Sequence, residues 1–276
     1  MKKVGFIDYY LNEWHADNYP EWIFNQSDGE FKVCYAYGMI EPPFDGGISN
    51  AQWAKNLGIE LLSTIEEVVD KSDCLVVLSP DNAEMHYELS EYALKSGKPV
   101  FIDKTFTEDK ATAQKIFEIA KENSTPLFST SALRFSEKLQ NTDKKDIEEI
   151  ISLGGGDPAI YIIHQLEPIA VLMGTDIKKV MCVNEKKPTW ILRFSDGRTA
   201  SISLVSGSPY TLKIIRNDAT DELIVDDDFF KGLIDNMISM FKTGNSPIKP
   251  KDTINIMAAR EACIKALKTP DIWVEV

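Results

Sequence analysis

The sequence predicts an α/β domain with a doubly wound parallel sheet, followed by an α+β domain with a mainly antiparallel open sheet. Over residues 1–126, short apolar runs alternate with helical patterns, as expected for parallel strands connected by helices. Over residues 127–276, successive strand patterns are separated by tight turns such as Asp196-Gly197, which favour antiparallel pairing. A chain of 276 residues is long enough to bury a core in both domains.

The first domain alternates strands and helices from its start. An unbroken apolar run over residues 74–78 is typical of a strand that is buried on both faces of a sheet. Asp17 is the expected N-cap of the first helix. The predicted strands cover residues 4–7, 31–37, 60–61, 74–78, 100–102 and 126–129. The predicted helices cover residues 17–25, 50–56, 64–69, 84–96 and 108–122.

The second domain opens with a linker and a charged helical stretch that extends to residue 146. An amphipathic helix is predicted over residues 229–241. The helix predicted over residues 251–267 is expected to pack back on the first domain. The predicted strands cover residues 177–184, 189–194, 199–205, 211–217 and 222–225.

Polar side chains follow two of the buried strands of the first domain. Asp81 and His86 follow the strand over residues 74–78, and Asp103 and Lys104 follow the next strand along the chain. The carboxyl ends of the strands in an open α/β sheet line the crevice where ligands bind. We therefore expect these four side chains to face one crevice.

The motifs around this crevice resemble those of the Gfo/Idh/MocA family, the glucose–fructose oxidoreductase and inositol dehydrogenase group. Members carry a strand, a Thr-Pro pair, a helix with an early His, a Gly-Lys pair and a strand that ends in Glu-Lys-Pro. The equivalents here are Ser79-Pro80, His86, Gly97-Lys98 and Asp103-Lys104-Thr105. Arg134-Phe135 and the glycine-led segment over residues 154–174 are also similar, so the resemblance extends over most of the chain.

The resemblance implies a Rossmann-like dinucleotide-binding-type domain over residues 1–126 and a substrate and oligomerisation domain over residues 127–276. It implies NAD or NADP as cofactor, a small-molecule substrate and a homo-oligomer, either a dimer or a tetramer. Lys104 and His164 match the catalytic Lys and His of the family. The residues expected near the cofactor are Asp8, Tyr10, Ser79, Pro80, Asp81, His86 and Asp103. The residues expected near the substrate are His15, Arg134, Tyr161 and Glu167.

The chain departs from this family at the first turn, where three glycines normally cradle a pyrophosphate. Asp8, Tyr10 and Glu13 occupy those positions, and they bring bulk and negative charge to a site that should attract an anion. The second strand ends in Tyr37-Gly38, without the acid that would bind a ribose. We therefore expect a nicotinamide cofactor to bind in an altered way.

The rebuilt turn has an alternative interpretation as a site for a polyol or a cation. Asp8, Glu13 and His15 supply oxygen and nitrogen ligands. One turn does not supply a complete coordination shell, so the sequence predicts no metal site.

The catalytic set of the family is also incomplete. The family's Asp four residues before the catalytic His falls on Ile160, which does not accept a proton. Glu167 matches a family Asp three residues after the His, on the same face of a helix.

Composition restricts the classes of partner. The chain has 43 acidic and 30 basic residues and a formal net charge of −13, which argues against nucleic acid and anionic membrane surfaces. Its four cysteines are widely spaced and form no CxxC pair, as expected for a reduced, cytoplasmic protein. No apolar run reaches the length of a membrane span, and no signal peptide is visible.

Three functions remain open on this scaffold. The first is an NAD(P)-dependent oxidoreductase that acts on a sugar, a polyol or a related hydroxyl compound. The second is an acid–base enzyme, such as an epimerase or lyase, that needs no nicotinamide. The third is a non-catalytic protein that binds a small metabolite.

Overall fold

The computed structural model describes residues 1–184 and 186–276. The chain divides into two compact units. The first comprises Met1–Ser129 with Leu233–Pro250, and the second comprises Thr130–Gly232 with Lys251–Val276. The helix that the sequence predicts over residues 251–267 lies in the second unit, and its packing on the first domain stays a prediction.

A parallel sheet forms the centre of the first unit. Its strands are β1 (Lys2–Asp8), β2 (Phe31–Gly38), β3 (Glu60–Leu61), β4 (Cys74–Val77), β5 (Val100–Ile102) and β6 (Leu127–Phe128). Within the described residues the six strands are ordered β3-β2-β1-β4-β5-β6, and every neighbouring pair is parallel. This is the doubly wound order, with its switch point between β1 and β4, so the predicted fold class is confirmed.

Helices connect these strands. They are α1 (Trp14–Gln26), α2 (Asn50–Leu57), α3 (Ile65–Lys71), α4 (His86–Leu94) and α5 (Lys110–Glu122). Helix α1 begins three residues earlier than predicted because Glu13, and not Asp17, caps it. Asp17 lies in the first turn of the helix and accepts a hydrogen bond of 2.8 Å from Trp53 Nε1.

The turn between β1 and α1 is fixed by the loop that follows β2. Asn50 Oδ1 accepts from the backbone N–H of Leu11 at 2.9 Å, and Asn50 Nδ2 donates to Ile40 O at 2.7 Å. Glu41 accepts from the Asn50 N–H at 2.8 Å. The turn therefore has a defined backbone course although it lacks the family's glycines.

A mixed sheet forms the centre of the second unit. Its strands are β7 (Ile147–Gly154), β8 (Ile177–Val183), β9 (Thr189–Phe194), β10 (Thr199–Leu204), β11 (Thr211–Arg216), β12 (Thr220–Ile224) and β13 (Trp273–Glu275). Over the described ranges their order is β12-β11-β7-β10-β9-β8-β13. Only the β7–β10 pair among these is parallel, which confirms the predicted α+β domain with a mainly antiparallel sheet.

Strand β7 was missed by the sequence analysis, although it pairs with both β10 and β11. Ile147 and Ile150 are buried on one face, but three acidic or polar residues interrupt the apolar pattern between and after them. The helices that accompany this sheet are α6 (Glu137–Gln140), α7 (Pro158–Tyr161), α8 (Ile163–Met173) and α10 (Pro250–Leu267). Helix α9 (Phe229–Thr243) contributes its residues from Leu233 onward to the first unit.

Among residues 1–184 and 186–276, no helix combines the length and the apolar character that a bilayer crossing requires.

Candidate functional site

Lys104 follows β5 at the carboxyl edge of the parallel sheet. Its side chain is largely buried, with the residue 7% exposed. The ammonium Nζ donates to Pro80 O at 3.2 Å and lies 3.7 Å from Asp81 Oδ1. Lys104 therefore contacts the loop after β4, whereas the predicted ligand crevice formed by Asp81, His86, Asp103 and Lys104 stays a prediction.

Asp103 is fully buried beside Lys104 and pairs with His15 from α1. His15 Nδ1 lies 2.8 Å from Asp103 Oδ2 and 3.7 Å from Glu13 Oε2. Burial would raise the pKa of Asp103, but His15 and Lys104 together outweigh burial and hold that pKa below the ordinary value. Burial would lower the pKa of His15, and the charge and hydrogen bond of Asp103 raise it instead. The pair is therefore best described as imidazolium and carboxylate.

Glu13 caps the N-terminus of α1 with its own carboxylate. The side chain accepts from the backbone N–H groups of His15, at 2.7 Å, and Ala16. Burial raises the pKa of Glu13 to about 7, although His15 acts to lower it. The helix N-terminus that the family uses for pyrophosphate thus already holds an anionic group of the chain itself.

Asp8 ends β1 and is 1% exposed. Its Oδ1 accepts from the Tyr9 N–H at 2.7 Å, whereas the buried Oδ2 has no hydrogen-bond partner in the described part of the chain. Burial, and next the nearby Glu13, raise the pKa of Asp8 well above its ordinary value. Burial therefore favours the protonated form of Asp8, which presents a buried carboxyl oxygen inside the turn.

The loop after β4 contains three of the predicted cofactor residues. Ser79 is buried and has φ of +90°, in the left-handed region that favours glycine, and its Oγ donates to Asn82 O at 3.2 Å. Pro80 and Asp81 contact Lys104 as described above. Burial, followed by Asp81 and Asp8, raises the pKa of Tyr10, so the Tyr10 hydroxyl lies among these carboxylates.

His86 is a core residue at the start of α4. Its ring is fully buried, and Nδ1 donates to Phe106 O at 3.0 Å. Burial lowers the pKa of His86, so the imidazole is neutral. The predicted contact between His86 and a cofactor stays a prediction.

A groove of about 470 Å³ opens beside the carboxyl end of β2, between α3 and α4. Tyr37 and Met39 line it from the end of β2, and Tyr92 lines it from α4. Glu66, Glu88 and Glu91 supply acidic groups, and Lys95 is paired with Glu91 at 2.7 Å. The groove therefore combines flat aromatic surfaces with hydrogen-bond acceptors.

His164, on α8 of the second unit, shares a hydrogen bond of 2.7 Å between its Nδ1 and Ser131 Oγ. Its ring contacts those of Tyr161 and Tyr210, with centroid distances of 5.4 and 5.7 Å. Burial raises the pKa of Tyr210 to about 12, so this phenol stays protonated. Ser131 and Tyr210 were missed by the sequence analysis; Ser131 directly precedes the segment that contains Arg134-Phe135.

The position of Tyr161 depends on Gly156. Gly156 has φ of +104°, and a Cβ there would lie 2.1 Å from the Tyr161 ring. Asp157 caps α7 by accepting from the Ala159 N–H at 2.8 Å. The glycine-led segment therefore places Tyr161 against His164, while Asp157 has a structural role.

Arg134 and Glu167 form an ion pair within the second unit. Arg134 Nε lies 2.6 Å from Glu167 Oε2, and Glu167 is 2% exposed. Arg134 Nε also lies 3.2 Å from Thr130 Oγ1. These two predicted substrate residues therefore pair with each other. Their contact with a substrate stays a prediction.

No group of three or more His, Cys, Asp or Glu side chains in residues 1–184 and 186–276 is arranged to hold a metal ion.

Comparison with known proteins shows which family part of the chain resembles. Residues 44–131 match the model of the Gfo/Idh/MocA family, described as an oxidoreductase family with an NAD-binding Rossmann fold. The match includes the Lys104 segment and begins after the turn that holds Asp8 and Glu13. The resemblance to this oxidoreductase family, predicted from the sequence, is therefore confirmed.

One curated relative and many solved structures are similar. The "Uncharacterized oxidoreductase YhhX" of Escherichia coli K12 is 35% identical over 63 residues, which are 23% of this chain and 18% of that protein. The crystal structure of GenD2 from gentamicin A biosynthesis in complex with NAD has a TM-score of 0.80 at 12% identity, covering 100% of this chain and 97% of that one. Myo-inositol 2-dehydrogenase from Lactobacillus plantarum has a TM-score of 0.80 at 15% identity, covering 100% and 99%.

The residues of the first turn do not fit a dinucleotide pyrophosphate in the usual pose. Glu13 takes the N–H groups at the start of α1, and Asp8 places a second carboxyl group in the same turn. A pyrophosphate would have to displace Glu13 and approach it closely, which like charges oppose. The family's cofactor class and the turn of this chain are thus in disagreement.

Proposed function

We propose that this protein is an oxidoreductase of the Gfo/Idh/MocA type that acts on a hydroxyl group of a sugar, polyol or related compound. A nicotinamide cofactor, NAD in preference to NADP, would bind without the usual pyrophosphate contacts. The observation that carries the proposal is the largely buried Lys104 at the carboxyl end of β5, within the segment that matches the family. Several structural neighbours are named as inositol or sugar dehydrogenases.

Lys104 is proposed to hold and transfer the proton of the substrate hydroxyl. Oxidation of an alcohol requires that this proton leave as the carbonyl forms, and a positioned amine or imidazole accelerates such a transfer. The Pro80 carbonyl fixes the ammonium group, and the ionised pair of Asp103 and His15 lies beside it in the chain and in space. Lys104 thus has a defined direction and a polar surrounding.

His164 is proposed as the second proton carrier, on the basis of the resemblance and of its own contacts. Its hydrogen bond to Ser131 fixes the orientation of the ring, and Tyr161 and Tyr210 restrict it on either side. A neutral imidazole is well suited to proton transfer near pH 7. The aromatic rings beside it also suit the apolar faces of a sugar or cyclitol.

The groove beside β2 is proposed to hold the nucleoside part of the cofactor. The aromatic rings of Tyr37 and Tyr92 offer surfaces for a base, and the carboxylates of Glu66 and Glu88 offer acceptors for ribose hydroxyls. The same carboxylates would repel a 2′-phosphate. This charge pattern is the reason to expect NAD in preference to NADP.

The disagreement at the first turn favours a second candidate function. An acid–base enzyme such as an epimerase or lyase would use Lys104 and His164 without any nicotinamide. The observation that favours it is Glu13, whose carboxylate takes the helix N-terminus that a dinucleotide would need.

Calorimetry with NADH and NADPH, followed by turnover on a panel of sugars and polyols, tests the proposal. We expect saturable NADH binding, weaker NADPH binding and cofactor-dependent turnover. In a Glu66→Gln/Glu88→Gln double variant, the difference in affinity between NADH and NADPH should become smaller. If neither cofactor binds at millimolar concentration, the oxidoreductase proposal is wrong, and turnover that depends on Lys104 but not on cofactor would establish the second candidate.

A further inference from the structure

The turn between β1 and α1 contains a helix N-terminus that the chain itself has filled. Glu13 is the N-cap of α1, with extended backbone angles (φ −141°, ψ 162°), and both of its carboxylate oxygens accept backbone hydrogen bonds. The Glu13 side chain is only 7% exposed. Since the first N–H groups of a helix are the donors that bind phosphate in Rossmann folds, Glu13 occupies the position of a bound anion.

Asp8 strengthens this arrangement from the neighbouring strand. It ends β1, is 1% exposed and has one buried carboxyl oxygen without a partner in the described part of the chain. The charge of Glu13 adds to the effect of burial and raises the pKa of Asp8 further. A phosphate that entered the turn would meet one carboxylate at the helix and a second carboxyl group beneath it.

The positive groups near the turn are already used. His15 pairs with Asp103 at 2.8 Å, and Lys104 Nζ donates to Pro80 O and lies near Asp81. The two cations, His15 and Lys104, therefore already lie near carboxylates, those of Asp103 and Asp81 respectively. The turn therefore has no surplus positive charge to offset a doubly negative ligand.

We propose that Glu13 is a specificity-determining residue whose carboxyl group takes the N–H groups at the N-terminus of α1 and closes this turn to phosphate groups. The ligand group that the turn accepts in place of phosphate is an uncharged hydroxyl, which can either donate a hydrogen bond to the buried Asp8 Oδ2 or accept one from it. As a statement about cofactor choice this inference rests on the proposed function, whereas its test needs neither cofactor nor turnover.

The test is calorimetric titration of the full chain with inorganic pyrophosphate in the absence of metal ions. Glu13→Ser removes the carboxylate but retains a favoured N-cap, and Glu13→Asp retains both the charge and a favoured N-cap. We expect no saturable binding to the wild type or to Glu13→Asp at millimolar concentration. For Glu13→Ser we expect saturable pyrophosphate binding, with an affinity at least tenfold tighter than the millimolar limit set for the wild type. Thermal unfolding of each variant establishes that it is folded.

Each outcome bears on the inference. Equal binding of pyrophosphate to the wild type and both variants would overturn it, since the anion would then bind elsewhere or Glu13 would not exclude it. Absence of binding to Glu13→Ser would overturn it as well, because another feature would then close the turn. Glu13→Gln, which keeps the size of the side chain, serves as a second uncharged variant if Glu13→Ser does not fold. Failure of the proposed function is separate, since it would appear as absence of NADH binding or turnover.

Discussion

Asp8, at the end of β1, and Asp103, directly after β5, lie at the same edge of the parallel sheet, and both are 1% exposed, yet their pKa values move in opposite directions. Asp103 has His15 at 2.8 Å, and its pKa lies below the ordinary value. For Asp8, burial and next the charge of Glu13 raise the pKa well above the ordinary value. The comparison teaches that burial alone does not decide the direction of the shift, because His15 and Lys104 together reverse its effect at Asp103.

The same contrast separates the two functional regions at this edge of the sheet. The end of β5 is followed by Lys104, and the ion pair of Asp103 and His15 lies beside it. The end of β1 and the start of α1 carry Asp8 and Glu13, and burial raises the pKa of both. Under the proposed function, the first region transfers a proton and the second selects the ligand.

The largest expected effect is on turnover. Lys104→Ala should lower kcat by about 100- to 10,000-fold, because it removes a positioned proton-transfer group. Lys121→Ala removes an exposed lysine from α5 and should leave kcat unchanged. Steady-state rates on the best substrate of the sugar and polyol panel provide the measurement. An equal response of the two variants would remove Lys104 from the mechanism.

The second effect tests the paired aspartate. Asp103→Asn leaves the His15 imidazolium buried without its counter-charge and should reduce the free energy of unfolding by about 3–5 kcal/mol. Urea denaturation near neutral pH measures this loss. The lowered pKa of Asp103 stabilises the fold above the unfolded pKa and stops doing so as the pH falls through the folded one, so the loss should shrink in acid. The double variant with His15→Gln should recover part of the lost free energy of unfolding. If Asp103→Asn alone reduced that free energy by less than about 1 kcal/mol, the ion pair would be contradicted.

The third effect is a pH dependence due to Glu13. A carboxyl group whose folded pKa is raised from 4.5 to about 7 destabilises the fold as the pH rises through that interval. The stability of the wild type relative to Glu13→Gln should therefore fall by about 3 kcal/mol between about pH 5 and about pH 8. Thermal or urea unfolding at several pH values provides the measurement. Glu21→Gln, at an exposed position on the same helix, is the control. If the unfolding free energies of the wild type and Glu13→Gln changed in parallel with pH, the raised pKa of Glu13 would be refuted.

The smallest expected loss of stability is at Asp8. In acid, below the ordinary aspartate pKa, Asp8 is protonated in both the folded and the unfolded state, so Asp8→Asn should change the free energy of unfolding by less than about 1 kcal/mol. As the pH rises above the ordinary pKa, the unfolded wild type ionises while burial keeps the folded carboxyl group protonated, so the wild type loses stability and the variant should become the more stable of the two. Urea denaturation from acid to neutral pH checks both statements. A loss as large as that of Asp103→Asn would mean that the two aspartates do not differ as described.

Much of the fold follows from local patterns. The apolar runs that became β4 and β5 are continuous, so they predict buried parallel strands whatever the rest of the chain does. Strand β7 could not be predicted in this way, because Glu148, Glu149 and Ser152 interrupt its apolar pattern. Only its pairing with β10 and β11 makes it a strand.

The amino-acid sequence by itself determined that a lysine ends a buried strand and that acids replace the glycines of the first turn. Only the tertiary structure decided which acid caps α1, in which direction the pKa of each aspartate moves, and that Arg134 and Glu167 pair with each other. The physical reason is that residue identity and spacing set strands and turns locally, whereas charge state depends on desolvation and on partners brought from distant parts of the chain.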